Sequence, residues 1–587
     1  MSELMDGSDR VVEGVSVLVC VEITSPTQPH PTSAMLSFFR RRRLCVGMGV
    51  VMCMVVGMVV WGVRSFPRMT SAVFVVTPRR SQPRVQEELT TQPGTEAPPE
   101  RLWHLDLKGG APKVAVVESL MALAARAGAT GVLIEWEDMF PYTGPLANIS
   151  AHNAYSMVEV KRIVAAANSA GLQLIHLMQS LGHLEYILKL PQWSELREGE
   201  GPGEACPSNP HTSLLIMQAL EQLMAVAPAT HVHIGADEVY TLGKCQRCRA
   251  RELPPLQLYV DYLVMVAKKV RERWDVRVLV WDDMLRHAPA HTLRSLATLI
   301  EPVVWAYGPD VTKLVPPYIL RSYATMFPRV WLAPAFKGAN GPRSIMPDAG
   351  RHAANTLAWV EVGQRLKQYS GLGVAGMVIT GWSRYDHFAV LCELLPPSTP
   401  SLVLTLLVAS RGFLTSAVLH DTHALLECPP HVIVQPSRDP LLWSTRDCSF
   451  PGANVATFLH RYARLRRDVR LLRREVDEVS GWLTPYNVRH NFSSPSRVRE
   501  GTGELASLTA ALRDVEDEAE AVLAQYLNPS TVIEWREQHL TPLNLTLTSL
   551  TNITHALLAR TTWPRRPLEW QPPFHTIPPP PPPPPPA

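Results

Sequence analysis

The chain has almost no net charge: 56 Lys and Arg against 53 Asp and Glu leave +3 over 587 residues. Its basic residues are scattered apart from one run and one helix, so nothing marks a nucleic-acid partner, which calls for a clustered basic face. No glycine-rich loop of the dinucleotide-binding type follows the first strand-like segment, which argues against a doubly wound dinucleotide-binding sheet. No second CxxC and no metal-spaced histidine pair stand near Cys245 and Cys248, so no metal site and no cofactor is expected. What the chain does have is 46% hydrophobic residues, enough for a large core and more than one domain. Its 53 prolines gather in linkers and at the end and mark those segments as extended.

Residues 1–43 are polar, proline-containing and without periodicity, which predicts a disordered tail. Arg40 to Arg43 then precede twenty uncharged, apolar residues, Leu44 to Val63. At about 1.5 Å per residue these match the roughly 30 Å hydrocarbon core. A cleavable signal peptide has a shorter apolar region, of about 7 to 15 residues. The four arginines outweigh Arg64 and Arg68, so the positive-inside rule predicts a type II signal anchor. The chain beyond the anchor is then expected on the lumenal or extracellular side, in the Golgi, the endoplasmic reticulum or at the cell surface; with the anchor unused, the alternative is cytoplasm or nucleus. Sequons at Asn148, Asn491, Asn544 and Asn552 all follow the anchor. Residues 64–100 read as a flexible stem.

From Leu102 to about Leu395, β-rich runs alternate with stretches of helical spacing. The runs are 102–107, 130–136, 172–177, 231–237, 276–281, 301–307, 329–335 and 375–382; Ser156 to Ala170 and Leu256 to Arg273 are among the helical stretches. Eight strands with helices between them over about 300 residues predict a (β/α)8 TIM barrel over 101–400. Active sites of such barrels lie at the carboxyl ends of the strands. Those ends carry Asp106 and Lys108, Trp136 with Glu137 and Asp138, His176 and His183, Asp237 and Glu238, Trp281 with Asp282 and Asp283, Trp305 and Tyr307, and Trp382. Carboxylates bind hydroxyls and aromatic rings stack on the apolar faces of sugars, so a carbohydrate cleft is the natural reading.

The segment His231 to Tyr240, HVHIGADEVY, concentrates this chemistry. An apolar strand runs into a small Gly-Ala pair that admits a ligand close to the backbone, and two adjacent carboxylates follow. Acidic pairs after strands are often helix caps or solvated loops; here the other strand ends favour acid/base chemistry.

His233 to Glu238 resembles the HxGxDE signature of the family 20 glycoside hydrolases, the β-N-acetylhexosaminidases. Trp281-Asp282-Asp283, Trp305 and Trp382-Ser383 follow that family's order. LKGGAPKV, DEVYTLG and GWSRYDHFAVLCELLP are most similar to the hexosaminidase D subgroup. The resemblance covers about residues 101 to 480. It implies hydrolysis of terminal N-acetylgalactosamine or N-acetylglucosamine by a substrate-assisted retaining mechanism, an exception to the two-carboxylate scheme. Glu238 would be the acid and base, and Asp237 would align the substrate's acetamide. Asp106, Lys108, His183, Trp281, Asp282, Trp305, Tyr307, Trp382 and Glu393 are the candidate substrate contacts. Three positions depart from the pattern: Lys108 replaces an arginine, Gln179 an aspartate, and Arg384 a glutamate whose contact Glu393 could take over. The competing reading is a membrane-anchored sugar-binding scaffold that kept the barrel without turnover.

Residues 401–530 carry charged helical periodicity, notably 455–483 and 503–527, and predict a helical region packed on the barrel or mediating association such as a homodimer. The run Arg466 to Val479 interleaves arginines with Asp and Glu at helical spacing, the mark of a salt-bridged solvent face. Residues 531–587 read as a proline-rich extended tail. Six cysteines follow the anchor, and disulfides are expected among Cys206, Cys245 and Cys248 and between Cys428 and Cys448.

Overall fold

Strand formation follows the alternation of the apolar runs, because successive side chains of a strand point to opposite faces. In β1 (Glu100–Asp106) Leu102 belongs to the barrel interior, whereas Trp103 and Leu105 pack outward against helices. The same phase recurs in β2 (Gly131–Glu135), β3 (Gln173–Leu177), β4 (His231–His233), β5 (Arg277–Trp281), β6 (Ile300–Trp305), β7 (Arg329–Ala333) and β9 (Gly373–Gly381). These eight strands pair in parallel in chain order, and β1 pairs with β9 to close the barrel. A computed structural model describes residues 97–369 and 372–568. The expected tail, membrane helix, most of the stem and the terminal proline run lie outside the described residues, among which no helix is long and apolar enough to cross a membrane.

Two boundaries differ from the sequence reading. The run 329–335 splits at Pro334 into β7 and a short β8 (Ala335–Lys337) that pairs with β9; a proline lacks the donor a ladder needs. The run 231–237 is strand for three residues only, because Gly235 (φ +60°) and Ala236 (φ +68°) turn left-handed.

Helices cover the sheet: α1 (Val114–Arg126), α2 (Met157–Ser169), α3 (Pro210–Val226), α4 (Pro255–Trp274), α5 (Pro317–Met326) and α6 (Ala349–Leu366), together with α7 (Thr399–Arg411), which is buried on all sides from Thr399 to Ala409. The barrel's central layer is made of inward residues such as Leu133, Ile175, Leu279, Trp281, Val303, Trp331 and Val378.

A second core belongs to the carboxyl-terminal helices. In α8 (Ala453–Arg474), Val455, Phe458, Leu459, Tyr462, Leu465, Val469 and Leu472 form one stripe at three- and four-residue spacing. It packs with α9 (Leu505–Leu523), α10 (Pro529–His539) and α11 (Thr541–Leu558). The last two correct the expectation of an extended tail from residue 531. Pro529 and Pro542 both stand in the first turn of a helix, where proline's missing N–H costs nothing, and Leu543, Leu547, Leu550 and Leu557 bury one face of α11.

Cys428 and Cys448 form a disulfide. None forms among Cys206, Cys245 and Cys248, contrary to expectation; all three remain thiols.

Candidate active site

Beyond β4 the chain leaves the ladder and presents Asp237 and Glu238 at the barrel's carboxyl-terminal mouth. Glu238 is itself left-handed (φ +51°), so Asp237 lies between strained residues, the kind of backbone that surroundings must hold in place. The holding groups are visible. The Tyr259 hydroxyl donates to the Ala236 carbonyl at 2.8 Å, the Ser180 hydroxyl donates to the Ile234 carbonyl at 2.7 Å, and the Gln179 carboxamide oxygen accepts from the Ala236 N–H at 3.2 Å. Gly182 presses on the same loop: a Cβ there would stand 2.3 Å from the Asp237 carbonyl oxygen. Gly182→Ala therefore pushes the Asp237 backbone aside. A misplacement of about 1 Å costs about 10²-fold in rate, which is the expected drop in kcat/KM; an unchanged kcat/KM would show that this packing does not position Asp237.

His183 lies beside the pair. Its Nε2 lies 3.5 Å from Asp237 Oδ2 and 3.5 Å from Glu238 Oε2. Burial by itself lowers an imidazole's pKa, but the two carboxylates outweigh it and hold His183 well above its ordinary value. The carboxylates differ in setting: the Asp237 side chain is 10% exposed and that of Glu238 25%. Asp237 Oδ1 is buried and has no hydrogen-bond partner among the described residues.

Next to this loop stands a buried charge network that the sequence reading registered only in part. Lys108 Nζ lies between Glu135 Oε1, at 3.4 Å, and Glu137 Oε1, which it contacts closely. Burial works against the ammonium, but Glu135, Glu137 and Asp106 keep its pKa well above normal. Two carboxylates share this one cation. Burial pushes Glu137 up to about 8, while Glu135, beside Lys108 and His104, is held below the usual carboxylate range. Glu135 Oε1 also accepts from the Gln179 amide at 3.3 Å, joining the network to the Ala236 loop. On its other side Glu137 Oε2 and Asp138 Oδ2 face His387 at 3.4 and 3.6 Å. Glu135 and His387 were missed in the sequence; the acidic cluster EWED, in which β2 ends at Glu135 and the chain turns at Glu137, was the available signal for Glu135.

Asp106, at the end of β1, has its carboxylate committed to the chain: Oδ1 accepts from the Lys108 N–H at 2.9 Å and Oδ2 from the Ser383 N–H at 2.7 Å, fastening β1 to the segment after β9. Asp282 corrects the sequence reading. It follows the inward Trp281 and therefore points outward, where Arg286 holds both its oxygens at 2.7 and 2.9 Å and Tyr323 donates at 3.2 Å. Asp283 takes its place, with Oδ2 accepting from the Glu238 N–H at 2.9 Å and Oδ1 from Trp305 Nε1 at 3.2 Å. Burial and the nearby Asp237 raise Asp283 to about 7. His176, also at a strand end, points outward and accepts from Trp136 Nε1 at 3.0 Å.

Aromatic rings form a continuous wall. Trp281 lies 4.4 Å from His233 and 5.7 Å from Trp382, Trp382 lies 6.5 Å from Tyr307, and Tyr307 stacks on Trp305 at 5.2 Å. Trp281 is fully buried at the floor, whereas Trp305, Tyr307 and Trp382 are half-buried. Glu393 is buried, raised by that burial, and accepts from the Gly338 N–H. Arg384, the departure at the glutamate position, is a structural tie. It donates to Glu534 on α10 at 2.6 and 2.7 Å and to the carbonyls of Lys108 and Gly109 at 3.1 and 3.0 Å, fastening the carboxyl-terminal helices to the rim of the site.

A closed parallel barrel whose mouth holds adjacent carboxylates beside an aromatic wall has the layout of a glycosidase. Residues 125–308 match the glycosyl hydrolase family 20 catalytic domain. The chain is 36% identical over 461 residues to hexosaminidase D of Homo sapiens, covering 75% of this chain and 91% of that protein. It is 38% identical over 322 residues to hexosaminidase D of Bos taurus, covering 53% and 92% respectively. A family 20 exo-β-N-acetylglucosaminidase of Vibrio harveyi, solved with N-acetylglucosamine, aligns with a TM-score of 0.42 and 17% identity over 56% of this chain and 57% of that one. The chain belongs to glycosyl hydrolase family 20, the β-N-acetylhexosaminidases, in the hexosaminidase D group.

Proposed function

We propose that the protein hydrolyses terminal, non-reducing N-acetylgalactosamine or N-acetylglucosamine by a substrate-assisted retaining mechanism. The observation that carries this reading is Asp237 Oδ1, a buried acceptor without a partner among the described residues, next to the more open Glu238. A buried acceptor left unpaired costs about 1 to 3 kcal/mol, and a substrate acetamide N–H supplies the missing donor. Held there, the acetamide carbonyl oxygen attacks the anomeric carbon. Glu238 gives its proton to the departing glycosidic oxygen, and the C1–O bond breaks to leave an oxazolinium ion. Glu238, now a carboxylate, takes a proton from water as that water opens the oxazolinium, which restores the acetamide and retains configuration. His183 orders both carboxylates, and Trp305, Tyr307 and Trp382 are proposed to face the sugar ring, with Lys108, Glu393 and Asp283 as polar contacts. The intact carboxylate pair and its histidine speak for turnover rather than for a scaffold that binds sugar alone.

The test compares aryl β-N-acetylglucosaminide, aryl β-N-acetylgalactosaminide and aryl β-glucoside. The first two are expected to be cleaved and the third, which lacks the nucleophile, to resist. Comparable cleavage of the glucoside would remove the mechanism.

We propose further that Leu44 to Val63 anchors the chain in a membrane with the barrel on the lumenal side. Among the described residues Asn148, Asn544 and Asn552 are exposed and Asn491 half-buried. The chain is expected to stay in the membrane pellet after an alkaline wash and to lose mass on treatment with peptide N-glycosidase. An unglycosylated chain released by the wash would sink this topology.

A further inference from the structure

The loops after β3 and β4 bring together four groups that the mechanism does not use. Cys206 Sγ lies 3.2 Å from Cys245 Sγ and 3.6 Å from Cys248 Sγ, and Glu198 Oε2 lies 3.1 Å from Cys248 Sγ. One ligand-type atom from each lies within 4.8 Å of the others. Glu198, Cys206 and Cys248 are 1%, 2% and 1% exposed, and Cys245 is half-buried. Glu198 Oε1 accepts from the N–H groups of Lys244 at 2.7 Å and Cys245 at 3.2 Å, which turns Oε2 toward the sulfurs. Among the described residues no Lys, Arg or His side chain pairs with this carboxylate; its partners are those two backbone amides and a thiol. A buried carboxylate without a cation is costly. A centre of three sulfurs and one oxygen is where a cation would relieve that cost.

We propose that Glu198, Cys206, Cys245 and Cys248 bind one zinc ion. Thiolates select zinc over hard cations, and four protein ligands leave no open position, which defines a structural rather than a catalytic site. With Zn–S bonds of about 2.3 Å, the sulfurs of a tetrahedral site stand about 3.8 Å apart. The observed separations need only small outward shifts to reach that spacing. A disulfide instead requires contraction to about 2.05 Å and leaves a third thiol buried against the carboxylate. The Cys248 N–H donates to Cys245 Sγ at 3.3 Å, a bond that disperses thiolate charge. Binding releases three thiol protons to solvent, and the resulting charge of the ligand set falls beside Lys244, Arg247, Arg249 and Arg251 in the chain. The ion would tie the segment that follows Glu238 to the 198–206 loop. Glu204 already holds that segment through the N–H groups of Tyr240 and Thr241, at 2.9 and 2.8 Å.

Detergent-solubilised full-length protein, purified without chelator, is expected to carry about one zinc per chain by plasma mass spectrometry, and Cys206→Ser and Cys245→Ser close to none. Because those variants can fail to fold, the wild-type chain supplies a second arm. Cys206, Cys245 and Cys248 should resist alkylation until a chelator is added, and exchange with cobalt(II) should produce a thiolate-to-metal charge-transfer band. A peptide pair linked through Cys206 and Cys245, or a folded chain that takes up neither zinc nor cobalt, overturns the proposal.

Discussion

Glu238→Gln is expected to lower kcat/KM for an aryl N-acetylhexosaminide by about 10²- to 10⁴-fold, the range of a positioned proton-transfer group. Glutamine preserves shape and the left-handed backbone at this position (φ +51°), so the apparent Tm should stay close to that of the parent. The loss should be larger for a natural glycoside than for an aryl one, whose leaving group needs less protonation. Asp237→Asn should cost a similar factor for another reason: it offers the acetamide N–H a donor where an acceptor is required. Azide, which can stand in for a missing nucleophile, should rescue Asp237→Asn poorly, because the group removed positions an acetamide and does not attack carbon. Undiminished turnover by Glu238→Gln would end the assignment of acid/base chemistry to this residue.

Lys108→Met is expected to be the most destabilising single change near the site. Methionine keeps the apolar stem and removes the ammonium, leaving Glu135 and Glu137, each with a side chain 1% exposed, without their shared cation. Removing one partner of a buried ion pair costs about 3 to 5 kcal/mol, which a thermal or denaturant unfolding scan near pH 7 would read. The pH dependence has a definite sign. Burial already raises Glu137 to about 8, so the folded protein holds a proton that an unfolded glutamate releases above about pH 4.3. Stability from this group is full below that pH and is lost as pH rises toward 8. In Lys108→Met the window widens, since Glu135 loses the cation that holds it low. The deficit should therefore shrink as pH falls from 7 toward 5, and adding Glu137→Gln should recover part of it. Equal stability of variant and parent at pH 7 would show that Lys108 does not compensate these carboxylates.

Much of the barrel was legible because its signals are local. Alternation in LWHLDL or VRVLVW depends on the strand's own pleat, and helix limits such as Met157–Ser169 follow from a capping box at Ser156 and Glu159. The errors were local as well and could have been avoided. Reading Asp282 as a site residue ignored the alternation that placed Trp281 inward, and reading the chain from residue 531 as extended ignored the fitness of a proline such as Pro542 for a first helical turn. His387 lies within GWSRYDHFAVLCELLP and Glu135 within EWED, but neither segment shows that His387 faces Glu137 and Asp138 or that Glu135 meets Lys108.

The amino-acid sequence by itself determined the order of the eight barrel strands, the position of Asp237 and Glu238 at a strand end, and the family, since each rests on short runs of neighbouring residues. Only the tertiary structure decided how charges are balanced: that Lys108 serves two carboxylates, that Arg384 reaches Glu534 across 150 positions, and that Glu198 meets three cysteines. The reason is that a buried charge is tolerable only beside its partner, and which loops come within 3 or 4 Å of each other is set by closure of the barrel, not by spacing along the chain.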